Sequence, residues 1–142
     1  MISVSEKHTK EIKAHAEATY PYECGGMLIG TLNADGSKIV VETFPLENSS
    51  IEDQTVRILI SPKDVLRAER YARSVKLEVI GYYHSHPEDT AIPSQYDLDH
   101  ALPVWSYIIV SVLDGKSVDV RSWVMENDRS KFNSEEVAKR EL

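Results

Sequence analysis

The chain has 142 residues, a length typical of one domain, and its 42% hydrophobic and 27% charged residues are ordinary for a globular protein. Sixteen basic residues against 23 acidic ones give a formal net charge of −7, which argues against nucleic-acid binding. One cysteine excludes an internal disulfide, and the lack of an apolar signal or membrane-spanning run predicts a soluble, cytoplasmic protein with no membrane contact.

The first part of the chain predicts a helix followed by a hairpin. Apolar residues spaced four apart predict a helix over residues 5–20, ending before Pro21. The glycine-bounded apolar run 26–32 predicts a buried strand. Turn residues follow it, so residues 37–44 are expected to return as the second strand of a hairpin.

The middle of the chain predicts two further strands around a helix. Residues 55–60 alternate as a strand. Ser61 is a suitable N-cap and Pro62 a suitable first residue for a helix that runs to residue 76. Residues 77–83 predict another strand, which ends directly at His84.

The last third predicts a short helix over residues 94–102 and a hairpin of residues 105–112 and 117–125. Residues 133–142 have the composition of a weak terminal helix, and residues 127–142 are expected to be a tail that can fray. Helices interleaved with strands indicate an α/β protein with a mixed sheet, and we expect one domain over residues 1–142.

The segment with chemical potential begins at the end of the strand over residues 77–83. His84 and His86 are two apart, so on an extended backbone their side chains point to the same side. Asp97 lies in the first turn of the next predicted helix, from which its carboxylate can point back to the strand end. Two imidazoles and one carboxylate are a typical catalytic zinc set that leaves one position for water.

Spacing alone also fits a simpler interpretation. A His-x-His pair is a weak signal, and histidines at a strand end are often ordinary surface residues. Ser94 and Asp97 fit a capping box, in which an N-cap serine is followed three residues later by an acidic residue. The residues themselves leave the zinc site and the simple helix cap both open.

The same residues resemble a known family. His84 and His86, then Ser94 after seven residues and Asp97 after two more, are similar to the signature of the JAMM (MPN-plus) zinc metallopeptidases. The family also carries an upstream glutamate in a segment like Pro-x-Glu-x-x-Gly, which Pro21-Tyr22-Glu23-Cys24-Gly25-Gly26 resembles. The chain is near the minimum length of the domain and looks like the short bacterial and archaeal members.

The resemblance implies a role for each of these positions. His84, His86 and Asp97 would bind Zn²⁺, Glu23 would act as the general base, and Ser94 would donate a hydrogen bond to the oxyanion. It also implies a three-layer α/β/α fold with a mixed sheet, like that of cytidine deaminases. Deaminase chemistry itself is not expected, because its Pro-Cys-x-x-Cys ligand pair has no counterpart here.

Other residues near the motif have simpler interpretations. His100 is expected to support the metal ligands from behind or to face solvent, and Glu88 and Asp89 to line a groove or be solvated. Cys24 could be a nucleophile but is more typical of a buried, inert thiol. Aromatic side chains near the motif are expected in the core or in pocket walls, and these are Tyr82, Tyr83 and Trp105.

The resemblance implies hydrolysis of a peptide or isopeptide bond. The substrate it favours is the C-terminal Gly-Gly tail of a ubiquitin-like or sulfur-carrier protein, held by strand addition beside the metal. The alternatives are a non-catalytic metal-binding or protein-interaction scaffold of the same fold, and a hydrolase of free dipeptides or cell-wall peptides. The sequence does not predict the oligomeric state.

Overall fold

The computed structural model describes residues 1–51, 53–55 and 58–140. Within these residues the helices are α1 (Glu6–Thr19), α2 (Pro62–Ser74) and α3 (Gln95–His100). The strands are β1 (Ile2–Ser5), β2 (Gly25–Leu32), β3 (Lys38–Leu46), β4 (Glu78–Pro87), β5 (Ser106–Leu113), β6 (Lys116–Met125), β7 (Phe132–Glu135) and β8 (Val137–Arg140).

All of these strands lie in one sheet in the order β7-β6-β5-β4-β2-β3-β1-β8. Strand β2 is antiparallel to β3 and β4, β5 is antiparallel to β6, and β4 and β5 run parallel. Strand β1 is parallel to both β3 and β8. The predicted α/β class with a mixed sheet is therefore confirmed, as are the two predicted hairpins.

Both faces of the sheet are covered by apolar packing. Leu28 of β2 and Tyr83 of β4 pack with residues of α1, whereas Met27 and Tyr82, one position earlier on the same strands, pack with Ala68 of α2. Because successive side chains of a strand point to opposite faces, α1 and α2 lie on opposite sides of the sheet. His84 and His86, two and four places beyond Tyr82 on β4, therefore also point to the α2 side.

Helices α1 and α2 each begin at an N-cap serine, of which Ser61 was predicted. The Ser5 hydroxyl accepts a hydrogen bond from the backbone N–H of His8 (3.1 Å), and the Ser61 hydroxyl accepts one from that of Asp64 (3.2 Å). Helix α2 ends at Ser74, two residues before the predicted end, and Lys76 takes a left-handed φ of 62°. In the part of the chain that the structure describes, no helix is long and apolar enough to cross a membrane.

The predicted strand over residues 55–60 is wrong for its described residues. Thr55 lies in a turn, and residues 58–60 belong to no strand, while residues 56 and 57 lie outside the described residues. The backbone of Leu59 is bonded to a neighbouring loop: its N–H donates to the Asn48 side chain (3.2 Å) and its carbonyl accepts from Ser49 (2.7 Å). These bonds use the groups that strand pairing would need.

The predicted C-terminal helix is also wrong for its described residues, because Phe132–Glu135 and Val137–Arg140 form β7 and β8; residues 141–142 lie outside the described residues. Strand β7 pairs with β6, and β8 pairs with β1, a strand the sequence did not predict. Only Glu136 separates the two, and its carbonyl accepts a hydrogen bond from Ile2 (3.0 Å). Residues 132–140 thus supply both outermost strands of the sheet, β7 and β8.

A buried charged group supports this linkage. The Lys38 ammonium donates a hydrogen bond to the Ser106 hydroxyl (2.9 Å) and lies 3.8 Å from a carboxylate oxygen of Glu135. The other oxygen of Glu135 accepts a hydrogen bond from Ser122 (2.8 Å). Residues from β3, β5, β6 and β7 are therefore joined by one polar network inside the protein.

Candidate metal centre

Strand β4 carries the two histidines. The strand continues through Pro87 rather than ending at His84 as predicted, because it pairs in parallel with β5 along its whole second half. His84 and His86 therefore lie on one face of a strand, and both are buried. Their Nε2 atoms are 3.1 Å apart.

Helix α3 brings Asp97 to the same point. One carboxylate oxygen lies 3.1 Å from Nε2 of His84, and the other lies 3.1 Å from Nε2 of His86. The capping box is also present: Ser94 N–H donates to the Asp97 carboxylate (2.8 Å), and Asp97 N–H donates to the Ser94 hydroxyl (3.1 Å). The helix cap therefore orients the carboxylate toward the histidines, so the two interpretations of this segment are compatible.

The environment keeps Asp97 ionised. Burial acts to raise the pKa of this carboxyl, but the Coulombic attraction of His84 and the hydrogen bonds from both imidazoles and from Ser94 bring the pKa far below its usual range. Burial acts to lower the pKa of His86, and the contacts with Asp97 and the Thr90 carbonyl outweigh it, so the pKa is raised.

These atoms fit a bound cation. His86 Nδ1 lies 2.9 Å from the Thr90 carbonyl, so in the neutral ring the proton sits on Nδ1 and the Nε2 lone pair faces His84 and the negative Asp97. That arrangement is repulsive unless a cation or a proton lies between the groups. Atoms bound tetrahedrally to zinc at about 2.0–2.1 Å lie about 3.3–3.4 Å apart, close to the 3.1 Å separations found here.

His84 is held by packing. Its ring stacks on Tyr82, with centroids 5.4 Å apart and planes 23° from parallel. Its Nδ1 is buried and has no hydrogen-bond partner among the described residues, whereas the second ring nitrogen of a metal-bound histidine usually has one. Gly25 lies opposite His84 across the strand pair, and a Cβ there would be 2.7 Å from the Tyr82 hydroxyl. Glycine at this position leaves room for the stacked pair.

Glu23 reaches the same cluster from the start of β2. Its carboxylate oxygen and ring nitrogens of His84 and His86 all lie within 4.8 Å of one another, and the residue is buried. Its backbone is fixed by hydrogen bonds to Gln54 (2.7 Å) and from the Asn48 side chain (3.3 Å). A separation of up to 4.8 Å allows Glu23 to be a fourth ligand of the metal. It also allows Glu23 to act as a base, since a water molecule fits between its carboxylate and a metal held by the histidines.

Three further residues singled out in the sequence lie near the motif and have other contacts. His100 is exposed, stacks on Tyr96 (4.1 Å) and contacts the Tyr96 carbonyl through Nδ1 (2.8 Å). Glu88 accepts hydrogen bonds from Tyr20 and from the backbone of Asp114, so it ties the loop to the rest of the fold. Cys24 is buried, as expected of an inert thiol.

A cavity of about 280 Å³ opens beside the cluster, and His84 and Asp97 form part of its wall. Tyr82 and Trp105 line it and Tyr83 lies in the core on the α1 side, so the prediction of core or pocket-wall positions is confirmed for all three. Tyr107 also lines it. The sequence did not single it out, because β5 is a nearly continuous buried run in which no position stands out.

The family described as prokaryotic homologs of the JAB domain matches residues 5–126, which include every residue of the cluster. Solved structures share the fold of this chain. Protein DSY2949 of Desulfitobacterium hafniense is 29% identical with a TM-score of 0.86, over 100% of this chain and 94% of that one. AF2198, a JAB1/MPN domain protein of Archaeoglobus fulgidus, is 18% identical with a TM-score of 0.57, over 99% and 95%, and shows the shared fold.

Named relatives match a shorter stretch. A desampylase of Haloferax volcanii is 30% identical over 92 residues, which cover 64% of this chain and 63% of that protein. A Lys-63-specific deubiquitinase BRCC36 of Camponotus floridanus is 32% identical over 59% and 34% of the two chains, and the tail tip assembly protein K of Escherichia phage N15 is 37% identical over 65% and 33%. The chain thus spans from one third to just under two thirds of these relatives. Together with the family match, the shared fold shows that the chain belongs to the prokaryotic JAB-domain family.

Proposed function

We propose that the chain is a zinc-dependent hydrolase that cleaves a peptide or isopeptide bond. The observation that carries this proposal is the convergence of two imidazole nitrogens and one carboxylate at 3.1 Å, with a second carboxylate within reach. Two relatives named a desampylase and a deubiquitinase support isopeptidase-type hydrolysis. The preferred substrate is the C-terminal Gly-Gly tail of a ubiquitin-like or sulfur-carrier protein.

In this proposal His84, His86 and Asp97 hold the zinc ion. When bound, zinc acts as a Lewis acid on the scissile carbonyl and lowers the pKa of water to about 7. Nitrogen and carboxylate ligands in this number suit zinc and leave one position open for substrate or water. We also propose that residues 1–142 form one three-layer α/β/α domain like that of cytidine deaminases.

In this proposal Glu23 transfers a proton and Ser94 stabilises the negative charge of the oxyanion. Glu23 takes a proton from the attacking water and passes it to the nitrogen of the leaving amine, so that the C–N bond can break. The Ser94 oxygen already accepts a hydrogen bond from Asp97 N–H, so its own hydrogen is available to donate to the oxyanion. The exposed position of Ser94 at the start of α3 leaves it accessible to a substrate.

The test is cleavage of a sulfur-carrier protein whose Gly-Gly end is extended by a short peptide, with a ubiquitin fusion of the same design beside it. We expect Glu23→Gln to lower the cleavage rate by about 10²–10⁴-fold while zinc is retained, as for loss of a general base. The matched control is Glu78→Gln, at an exposed glutamate on β4, which should cleave at the wild-type rate. Zinc-loaded wild-type protein that cleaves neither fusion would favour the binding scaffold instead.

A further inference from the structure

The cavity beside the metal centre has an almost entirely apolar wall. It includes Met27, Val65, Leu102 and the aromatic side chains Tyr82, Trp105 and Tyr107. Apart from His84, Asp97 and His100, the described lining residues carry no ionisable group other than tyrosine hydroxyls. Such a wall is suited to a hydrophobic side chain, because a charged one would lose its hydration, and the Asp97 carboxylate of the wall is already paired with His84 and His86.

The wall is held in place by its own packing. Tyr82 and Tyr107 meet edge to face with centroids 6.2 Å apart, and Trp105 lies 6.5 Å from Tyr107. The Tyr107 hydroxyl accepts a hydrogen bond from Leu102 N–H (2.6 Å), which fixes the backbone at the rim. The pocket therefore exists before any ligand enters, and binding requires little ordering of the protein.

We propose that this pocket binds one large apolar side chain, aromatic for preference, of the peptide whose bond is cleaved. The inference rests on the proposed function, because it assigns a substrate residue to the same site. His84 and Asp97 belong both to the pocket and to the metal centre, and an extended peptide advances about 3.3 Å per residue, so the side chain lies within about two residues of the scissile bond.

Size and charge support this occupant. A volume of about 280 Å³ holds one side chain and is below the range of about 300–1,000 Å³ that is usual for whole small-molecule ligands. An acidic side chain would be placed beside the carboxylate of Asp97. In a tail that ends in Gly-Gly, the glycines cannot fill the pocket, so the residue before them or the residue after the cleaved bond would do so.

The binding test does not need turnover. Zinc-loaded protein is titrated with N-acetyl-phenylalaninamide, N-acetyl-glycinamide and N-acetyl-lysinamide, and the indole N–H signal of Trp105 is followed by NMR, with Trp105→Phe identifying that signal. We expect the phenylalanine amide to bind about ten- to hundredfold more tightly than the glycine amide, the gain expected for burying one aromatic side chain. The signal of Trp123, which lies outside the pocket, should not move.

Two matched variants locate the binding. Leu102→Trp narrows the rim at a half-exposed leucine and should weaken binding of the phenylalanine amide by about tenfold. Leu113→Trp makes the same change at a leucine of similar exposure that does not line the pocket, and should bind as the wild type does. Equal binding of the three amides, or equal effects of the two variants, would overturn the proposal.

A hydrolysis arm separates this proposal from the proposed function. Extended Gly-Gly fusions are made with Phe, Gly or Lys before the glycines and, separately, after them. The proposal requires at least a tenfold higher kcat/KM for one of the Phe fusions, with the difference lost in Leu102→Trp. Cleavage without that preference would overturn the pocket while the hydrolase stands. Selective binding of the phenylalanine amide without cleavage of any fusion would support the pocket while the hydrolase falls.

Discussion

Asp97 combines two functions that are usually separate. The same carboxylate accepts the N-terminal hydrogen bond of α3 from Ser94 and lies 3.1 Å from both imidazoles. Because the cap fixes the orientation of the carboxylate, a metal ion would meet a ligand that has already lost most of its rotational freedom. The histidines are fixed in different ways, His86 by the Thr90 carbonyl and His84 by the Tyr82 ring.

The thiol next to the proposed base is expected to be inert. Burial raises the pKa of Cys24 to about 11, more than the hydrogen bond from the Ser85 hydroxyl lowers it, so the thiol is almost entirely protonated at pH 8. We expect iodoacetamide at pH 8 to label the folded protein at least 100-fold more slowly than the chain in urea, measured by mass spectrometry. Equal labelling rates, or loss of hydrolysis in Cys24→Ala, would contradict this account.

At this scale the sequence identified more of the site than the spacing alone could justify. Strand and helix periodicity can bring His84, His86 and Asp97 together, because all three lie within 14 residues of each other, but their proposed role as ligands comes from the family resemblance. Glu23 does not: it lies 61 residues before His84, and it is one of 23 acidic residues. The pairing of Gly25 with His84 and the hydrogen bonds between Cys24 and Ser85 bring it near, and such pairing cannot be read from local pattern.

Among the elements, the short helix α3 is the one on which the site depends most. It has six residues, so its capping box is a large part of its stability. We expect Ser94→Ala to lower the free energy of unfolding by about 1 kcal/mol, measured by urea denaturation, and to reduce hydrolysis.

A second substitution separates the cap from the hydrogen-bond donor. Ser94→Asp keeps an N-cap acceptor but removes the hydroxyl hydrogen, so it should retain stability and still lose hydrolysis. If Ser94→Asp hydrolysed normally, Ser94 would act only by positioning Asp97. Unchanged stability of Ser94→Ala would contradict the capping role itself.

The prediction of elements failed where tertiary contacts decide the conformation. Residues 135–140 are rich in good helix formers, yet they are strands because β6 and β1 offer unpaired edges. Strand β1 was missed because four residues are too short for a periodic signal. The helices with clear caps, α1 and α2, were found close to their observed starts.

For the molecule as a whole, residues 132–140 are a structural link between the two ends of the strand order. We expect a chain that stops after Lys131 to lose at least about 3 kcal/mol of unfolding free energy, because it removes Glu135 from the buried Lys38 ammonium as well as two strands. The measurement is a urea denaturation midpoint.

The control is a chain that stops after Arg140, which removes residues 141–142 alone and should be as stable as the full chain. Lys38→Met in the shorter chain should recover part of the loss, since no buried charge is then left without its partner. A chain ending at Lys131 that is as stable as the full chain would contradict this account and favour the predicted frayed tail.

The measurement that tests the account most directly is zinc content, by elemental analysis, of the wild-type protein, Glu23→Gln and Asp97→Ala. The account predicts about one zinc ion per chain in the first two and its loss in the third, because it proposes His84, His86 and Asp97 as the ligands and Glu23 as the base. Loss of zinc from Glu23→Gln with retention in Asp97→Ala would contradict it and would assign the third ligand to Glu23, whose carboxylate oxygen lies within 4.8 Å of the histidine nitrogens.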